Sequence, residues 1–387
     1  MDTLTAKEIA MELREQGRDV CDAGLGENQR SPPKKLVRFL KKYADRKEYT
    51  SLHGVSGLSE ALKRYMNPWK YFIFGNGLKE LLFVTQLAFK GTIIHITPSW
   101  VSYYKQLRLL DKTPVEIRTT FESCWKVTGE QLEECFQRID GPKMLLFNNP
   151  NNPTGICYTP DEVTILGRMC HRFGVIRLAD EIYGQITFDD SFVSIGVHTT
   201  TIRASSISKD LGCGGYKLGW LAFPNELEDF MQNVKSVAKT IYSAPAAPIQ
   251  YAFRDYLNLS DQNYGLQCKE TCLFYKQLCD RICLKLSQTE LKFIPTQAAW
   301  YVFVSFENYT IELASNKIQN DSQLALVLLN ELNLVTLPGL SFRCFDLYCL
   351  RFSLVDIHNI DAGIDRLVLW LNELKCTYKS NNTKKNE

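Results

Sequence analysis

The sequence predicts an α/β fold: a large domain with a mostly parallel sheet sandwiched by helices, and a smaller α+β domain after it. Two observations carry this. Short apolar runs, TIIHIT (92–97), KMLLFN (143–148), VIRLAD (175–180) and TIRASSIS (201–208), read as strands buried on both faces, with amphipathic segments of helical length between several of them. The chain also has 387 residues, 45% of them hydrophobic and 23% charged, enough for two domains with separate cores.

Each element follows from its own signals. The first seventeen residues, MDTLTAKEIAMELREQG, are charged and helix-like where a signal peptide would need an apolar run. GNGLKELLF (75–83) is a glycine-rich turn that opens a helix. Thr159-Pro160-Asp161-Glu162 combines a capping-box Thr, a Pro at the first helical position and a Glu at the third, so a helix follows KMLLFN and leads into VIRLAD. AAWYVFVSF and LYCLRFSLV, separated by the helix-like SQLALVLLNELN, read as the second domain. KSNNTKKNE at the end has nothing to bury and reads as a disordered tail.

Composition excludes several functions. With 45 Lys and Arg against 43 Asp and Glu, the net charge of +2 gives no bias toward nucleic acid or an anionic membrane. No apolar stretch is long enough to span a bilayer. Thirteen cysteines, an odd count without a CxxC pair, read as reduced thiols of a cytoplasmic protein. His53 and His171 show no metal-ligand spacing, and no metal is expected. There is neither a GxGxxG after the first strand nor a Walker pattern.

In parallel sheets, ligands collect at the carboxyl ends of the strands. The residues there are Asn148 to Gly155, Asp180 to Tyr183 and Ser206 to Gly215. Lys209 is a candidate amine nucleophile. Asp180 could hold a positive charge on a ring nitrogen, and Tyr183 and Asn152 could bond a ring oxygen. Ser206 lies three residues before Lys209, and Gly212, Gly214 and Gly215 would let backbone approach a phosphate. Cys213, between those glycines, reads as a small residue filling a tight turn. Together these are the parts a pyridoxal phosphate enzyme requires.

NNPNNPTG (148–155), ADEIY (179–183), SISKDLGCGGYKLG (206–219) and LYCLRFSL (347–354) come in order. From about Gly24 to Arg351 the chain resembles the fold type I, pyridoxal-phosphate-dependent aminotransferases of class I and II. The resemblance implies a seven-stranded sheet. It divides the chain into an N-terminal arm with part of the small domain (1–45), a large cofactor domain (46–280), a C-terminal small domain (281–378) and a tail (379–387). It implies pyridoxal 5'-phosphate as cofactor, bound covalently by Lys209, which also shuttles the substrate α-proton. Asp180 would keep the pyridine nitrogen protonated, Asn152 and Tyr183 would bond the 3-oxygen, and Trp100 in PSWVSYY (98–104) would stack on the ring.

For the phosphate it implies Ser206, the backbone of Gly77-Leu78-Lys79, Lys217 and the partner subunit's Tyr49, hence a homodimer. Lys217 stands where the family has Arg, and a point charge in place of a fork implies looser binding of cofactor. Arg351 would grip the substrate α-carboxylate with Asn152 and the backbone near Gly26. Lys79 falls where one branch of aspartate aminotransferases places a lysine near the distal carboxylate, so an acidic amino acid and a 2-oxo acid are the expected substrates. Leu78 and Phe89-Lys90-Gly91-Thr92 depart from that branch. Two alternatives stay open: a lyase, synthase or decarboxylase of the same fold, or a cofactor-binding protein without catalysis.

Overall fold

The computed structural model describes residues 3–66, 69–189, 192–195, 200–260 and 263–383. Its centre is a seven-stranded sheet in the order Tyr71–Gly75, Gly219–Phe223, Thr201–Ser206, Ile176–Asp180, Lys143–Asn148, Thr92–Thr97, Val115–Arg118. Five of these strands form one parallel run, and only Gly219–Phe223 opposes its neighbours. The mostly parallel α/β reading therefore holds. The continuous apolar character of the runs has a simple cause, because both faces are covered. Met144 and Leu146 pack on one side with Leu81 and Val234, while Leu145 and Phe147 pack on the other with Val163 and Leu166.

The helix Pro160–Arg172 forms as its start signal requires. Thr159 Oγ1 accepts from the Glu162 amide at 3.3 Å and Glu162 Oε2 accepts from the Thr159 amide at 2.7 Å. Its end is marked by Gly174 at φ 62°. The run TIRASSIS is shorter as a strand than expected. It ends at Ser206, whose hydroxyl caps a one-turn helix Ile207–Asp210 by accepting from the Ser208 amide.

Beyond the large sheet, Leu337–Pro338, Cys349–Ser353, Tyr301–Ser305 and Lys292–Phe293 form an antiparallel sheet in that order. It shares a core with the helices Asn263–Leu286, Asp321–Leu332 and Ile360–Thr383. Cys21–Asp22 pairs in parallel with Leu334–Val335, which ties the N-terminal arm to this layer. The start of the expected tail lies in a helix: the last helix runs to Thr383, and 384–387 lie outside the described residues. Among the described residues, no helix is long and apolar enough to cross a membrane.

Candidate active site

The register of the parallel strands aligns their carboxyl ends. Asn148 sits opposite Asp180, and Asp180 opposite Ala204, two residues before the strand gives way to the turn that carries Lys209. A cavity of about 370 Å³ opens over these ends. Arg351 reaches it from the other sheet, where it pairs with Phe303. The cavity is lined by Lys209, Asp180, Tyr183, Asn152, Trp100, Arg351, Lys217, Lys79, Gly77, Leu78 and Gly26, so the fold gathers eleven residues that lie up to 325 positions apart.

Two expected residues stand elsewhere. Ser206 is fully buried, its hydroxyl accepts from the Ser208 amide, and Ser208 lines the cavity where Ser206 does not. Tyr49 is 96% exposed on the surface and does not line the cavity of its own chain.

One end of the cavity suits an anion. Helix Leu78–Ala88 begins there, capped by Gly77 at φ 89°, and its first amides face a space also bounded by Gly214, Gly215 and Lys217. A Cβ on Gly219 would come within 2.8 Å of the Leu78 amide nitrogen, so only glycine lets the strand pass under that helix terminus. Cys213 is buried and donates its thiol to the Leu211 carbonyl at 3.2 Å, as a turn filler would.

The opposite end carries the ionisable groups. Asp180 accepts from the Tyr103 hydroxyl at 2.6 Å and from the Ile182 amide at 3.2 Å. Burial pushes its carboxyl up to about 6 against these two donors. Asn148 donates to the Asp180 carbonyl at 3.0 Å and accepts from the Asn152 amide at 2.9 Å, which locks the loop to the strand end. The Tyr183 and Tyr301 hydroxyls lie 2.6 Å apart. Lys209 donates to the Gly26 carbonyl, and burial, then the charge of Arg351, lowers its ammonium to about 8.

Arg351 is fully buried, donates to Asn152 Oδ1 at 3.1 Å and to the Gly24 carbonyl, and stacks 4.7 Å from the Tyr301 ring centroid. Its Nε has no partner among the described residues. The Lys79 ammonium lies 5.2 Å from the Trp100 ring centroid at the cavity wall. The arrangement can take a phosphorylated aromatic cation whose anionic tail meets the helix terminus and whose ring meets Asp180, beside an amine and a carboxylate receptor. Cys344, Asp346 and Cys349 bring three ligand atoms within 4.8 Å of one another, outside this cavity.

The sequence matches the family described as aminotransferase class I and II over residues 18–367. The chain belongs to that family. This aminotransferase is 30% identical to the asparagine–oxo-acid transaminase of Streptococcus mutans over 60% of its own length and 64% of the relative's. It is 27% identical to the aspartate/prephenate aminotransferase of Cereibacter sphaeroides over 92% of each chain. In fold it is similar to aspartate aminotransferase from Thermus thermophilus with maleate, with a TM-score of 0.83, 23% identity, and coverage of 95% and 96% of the two chains. It is an enzyme that transfers an amino group. Among the residues around its cavity, Tyr103 and Tyr301 were not singled out by sequence reasoning, and Asn148 and Ser208 entered it only within the runs 148–155 and 206–215.

Proposed function

We propose that this aminotransferase uses pyridoxal 5'-phosphate to move the amino group of an acidic L-amino acid, aspartate or glutamate, to a 2-oxo acid by a ping-pong mechanism. The observation that carries the reading is the convergence of Lys209, Asp180 and Arg351 on one cavity whose far end is a helix N-terminus. When bound, the cofactor supplies an aldehyde that an amine can condense with and a ring that accepts the electron pair left at the substrate α-carbon.

The residues divide the remaining work. Gly77, Leu78 and Lys79 offer backbone amides to the phosphate, with Lys217 as its cation, Ser206 behind and Tyr49 arriving from a partner subunit. Trp100 covers the ring face, while Asn152 and Tyr183 address the ring oxygen. Asp180 holds a proton on the ring nitrogen. Arg351, with Asn152 and the backbone at Gly26, orients the substrate carboxylate, and Lys79 meets the distal carboxylate. Lys209 Nζ takes the proton from the substrate α-carbon, and its lowered ammonium makes the free amine accessible near neutral pH. The names of the relatives, in which aspartate and asparagine appear, support a small polar amino donor.

The proposal includes a homodimer, because the 96% exposure of Tyr49 suits a residue that serves another chain's site. It includes a cytoplasmic location, supported by thirteen free cysteines. It also keeps 46–280 as the cofactor domain, with 281–378 and part of 1–45 as the small domain.

The test is visible absorbance with added pyridoxal phosphate. A band that needs Lys209, bleaches with aspartate more than with asparagine, and returns with 2-oxoglutarate is the expected result. Absence of a Lys209-dependent band would sink the reading. A band that no amino acid moves would point to another reaction on the same fold.

A further inference from the structure

Behind the cavity wall lies a second, much smaller chamber, enclosed in part by His95, Ser99, Trp125, Tyr103 and Asn148. Its volume of about 10 Å³ is what the centre of one water molecule needs. Tyr103 and Asn148 line both spaces, so these two side chains form the partition. Four polar atoms on the lining residues have no partner among the described residues: both ring nitrogens of His95, the Ser99 hydroxyl and the Trp125 indole nitrogen. His95 and Ser99 are 1% and 3% exposed, and polar groups at such depth are satisfied by protein or by ordered water.

The chemistry of the lining suits a neutral guest that both donates and accepts. Burial, and then the charge of Arg343, pushes the His95 ring down to about 3, so it stays neutral, with one nitrogen donating and the other accepting. Its ring stands edge-on to Tyr103 at 5.8 Å between centroids. On the cavity side, the Tyr103 hydroxyl donates to Asp180 Oδ2 at 2.6 Å, and burial raises that hydroxyl so that it keeps its proton. The other groups acting on Asp180 are the Ile182 amide, Lys209, Tyr183 and Glu181, and Glu181 is turned away to Arg203 at 2.5 Å.

We propose that the chamber holds one ordered water on His95 and Ser99, and that Tyr103, braced by it, is the positioning residue that aims the Asp180 carboxylate into the cavity and favours its charged form. The inference rests on the reading that Asp180 partners the cofactor's ring nitrogen. A donor to the carboxylate stabilises the ion over the acid, so its loss lets Asp180 keep a proton that the ring nitrogen should hold. The electron sink then weakens, although the cavity keeps its shape.

Crystals of the holoenzyme and the pH profile of its visible band, in wild type, Tyr103→Phe and Ser99→Ala, test this. The expected results are an ordered peak within hydrogen-bond distance of His95 and Ser99 in wild type that is lost in Ser99→Ala, and a Tyr103→Phe enzyme that loads cofactor on Lys209. In that variant the band's pH midpoint is displaced and kcat falls about 10-fold with little change in KM, the scale of one hydrogen bond to a charged group. A wild-type chamber without ordered density, or a Tyr103→Phe enzyme whose band profile and kcat match wild type, overturns the inference. If Tyr103→Phe does not fold, the Ser99 crystals still decide the water. Failure of the underlying reading looks different: the wild type itself then lacks the Lys209-dependent band.

Discussion

Arg351 is a guanidinium buried without an ion-pair partner among the described residues, a costly arrangement unless an anion arrives. Arg351→Ala is expected to lower kcat/KM for aspartate by about 100-fold or more, the loss that follows removal of one partner of a buried charged pair. Arg351→Lys should fall between the two, since an ammonium offers no fork; equal rates in all three would exclude the assigned role. Lys217→Arg is expected to tighten the equilibrium for cofactor several-fold by restoring that fork at the phosphate end, and an unchanged dissociation constant would rule this out. Asp210, next to the lysine, is a different case. Its buried carboxyl accepts from Tyr264 and from the Leu211 amide, and is pushed up to about 7 by burial. The folded protein therefore holds this proton more tightly than the unfolded chain, and raising the pH from about 4 toward 7 withdraws stability. In Asp210→Asn that slope should flatten, so its urea midpoint gains on wild type between pH 5 and 8 by the equivalent of roughly 1–4 kcal/mol. A constant difference across that range would refute it. The meeting of Lys209 and Asp180 was legible in the sequence because both follow apolar runs whose carboxyl ends a parallel sheet brings together, whereas Arg351 came only through the resemblance, its run reading by itself as a strand. Tyr103 and Tyr301 were not legible, because an aromatic in a helix or strand reads as core until the fold shows its hydroxyl meeting Asp180 or Tyr183.

The helix Leu78–Ala88 owes its place over the cavity to a missing side chain on the neighbouring strand. A Cβ on Gly219 would meet the Leu78 nitrogen at 2.8 Å and the Gly77 carbonyl carbon at 2.9 Å, both backbone atoms that cannot swing aside. Gly219→Ala is therefore expected to push the helix terminus out of line and raise the cofactor dissociation constant by about 10-fold, with the far-ultraviolet dichroism unchanged. An unaltered affinity would mean that the first turn of this helix does not hold the phosphate. At this scale the sequence was most readable where signals are local. The Thr159 capping box and the apolar runs ending at Asn148 and Asp180 are defined by neighbours in the chain. Val115–Arg118 was missed because half of its side chains are only partly covered at the sheet edge and it lacks an apolar run. The strand boundary at Ser206 was missed because a cap is set by one hydrogen bond, which the run TIRASSIS does not announce.

For the whole molecule, the proposed role of Tyr49 sets how many chains would make one site. Exposed at 96% and absent from the lining of its own cavity, it would fill the proposed phosphate role only across an interface. This makes a sharp prediction for mixed subunits. Suppose a Lys209→Ala chain is refolded with a Tyr49→Ala chain. If each site takes Lys209 from one subunit and Tyr49 from the other, half of the sites in every heterodimer lack both residues and the other half are intact. Two crippled parents then yield heterodimers in which each dimer carries one wild-type site, with half the wild-type rate per dimer and wild-type affinity for cofactor. If Tyr49 instead served its own subunit, every functional lysine would sit in a site without the tyrosine, and no mixture would exceed the Tyr49→Ala parent. Differently tagged chains purified as heterodimers, assayed at limiting pyridoxal phosphate, separate the two outcomes. Failure to recover any dimer would remove the shared site and the proposed role of Tyr49 with it.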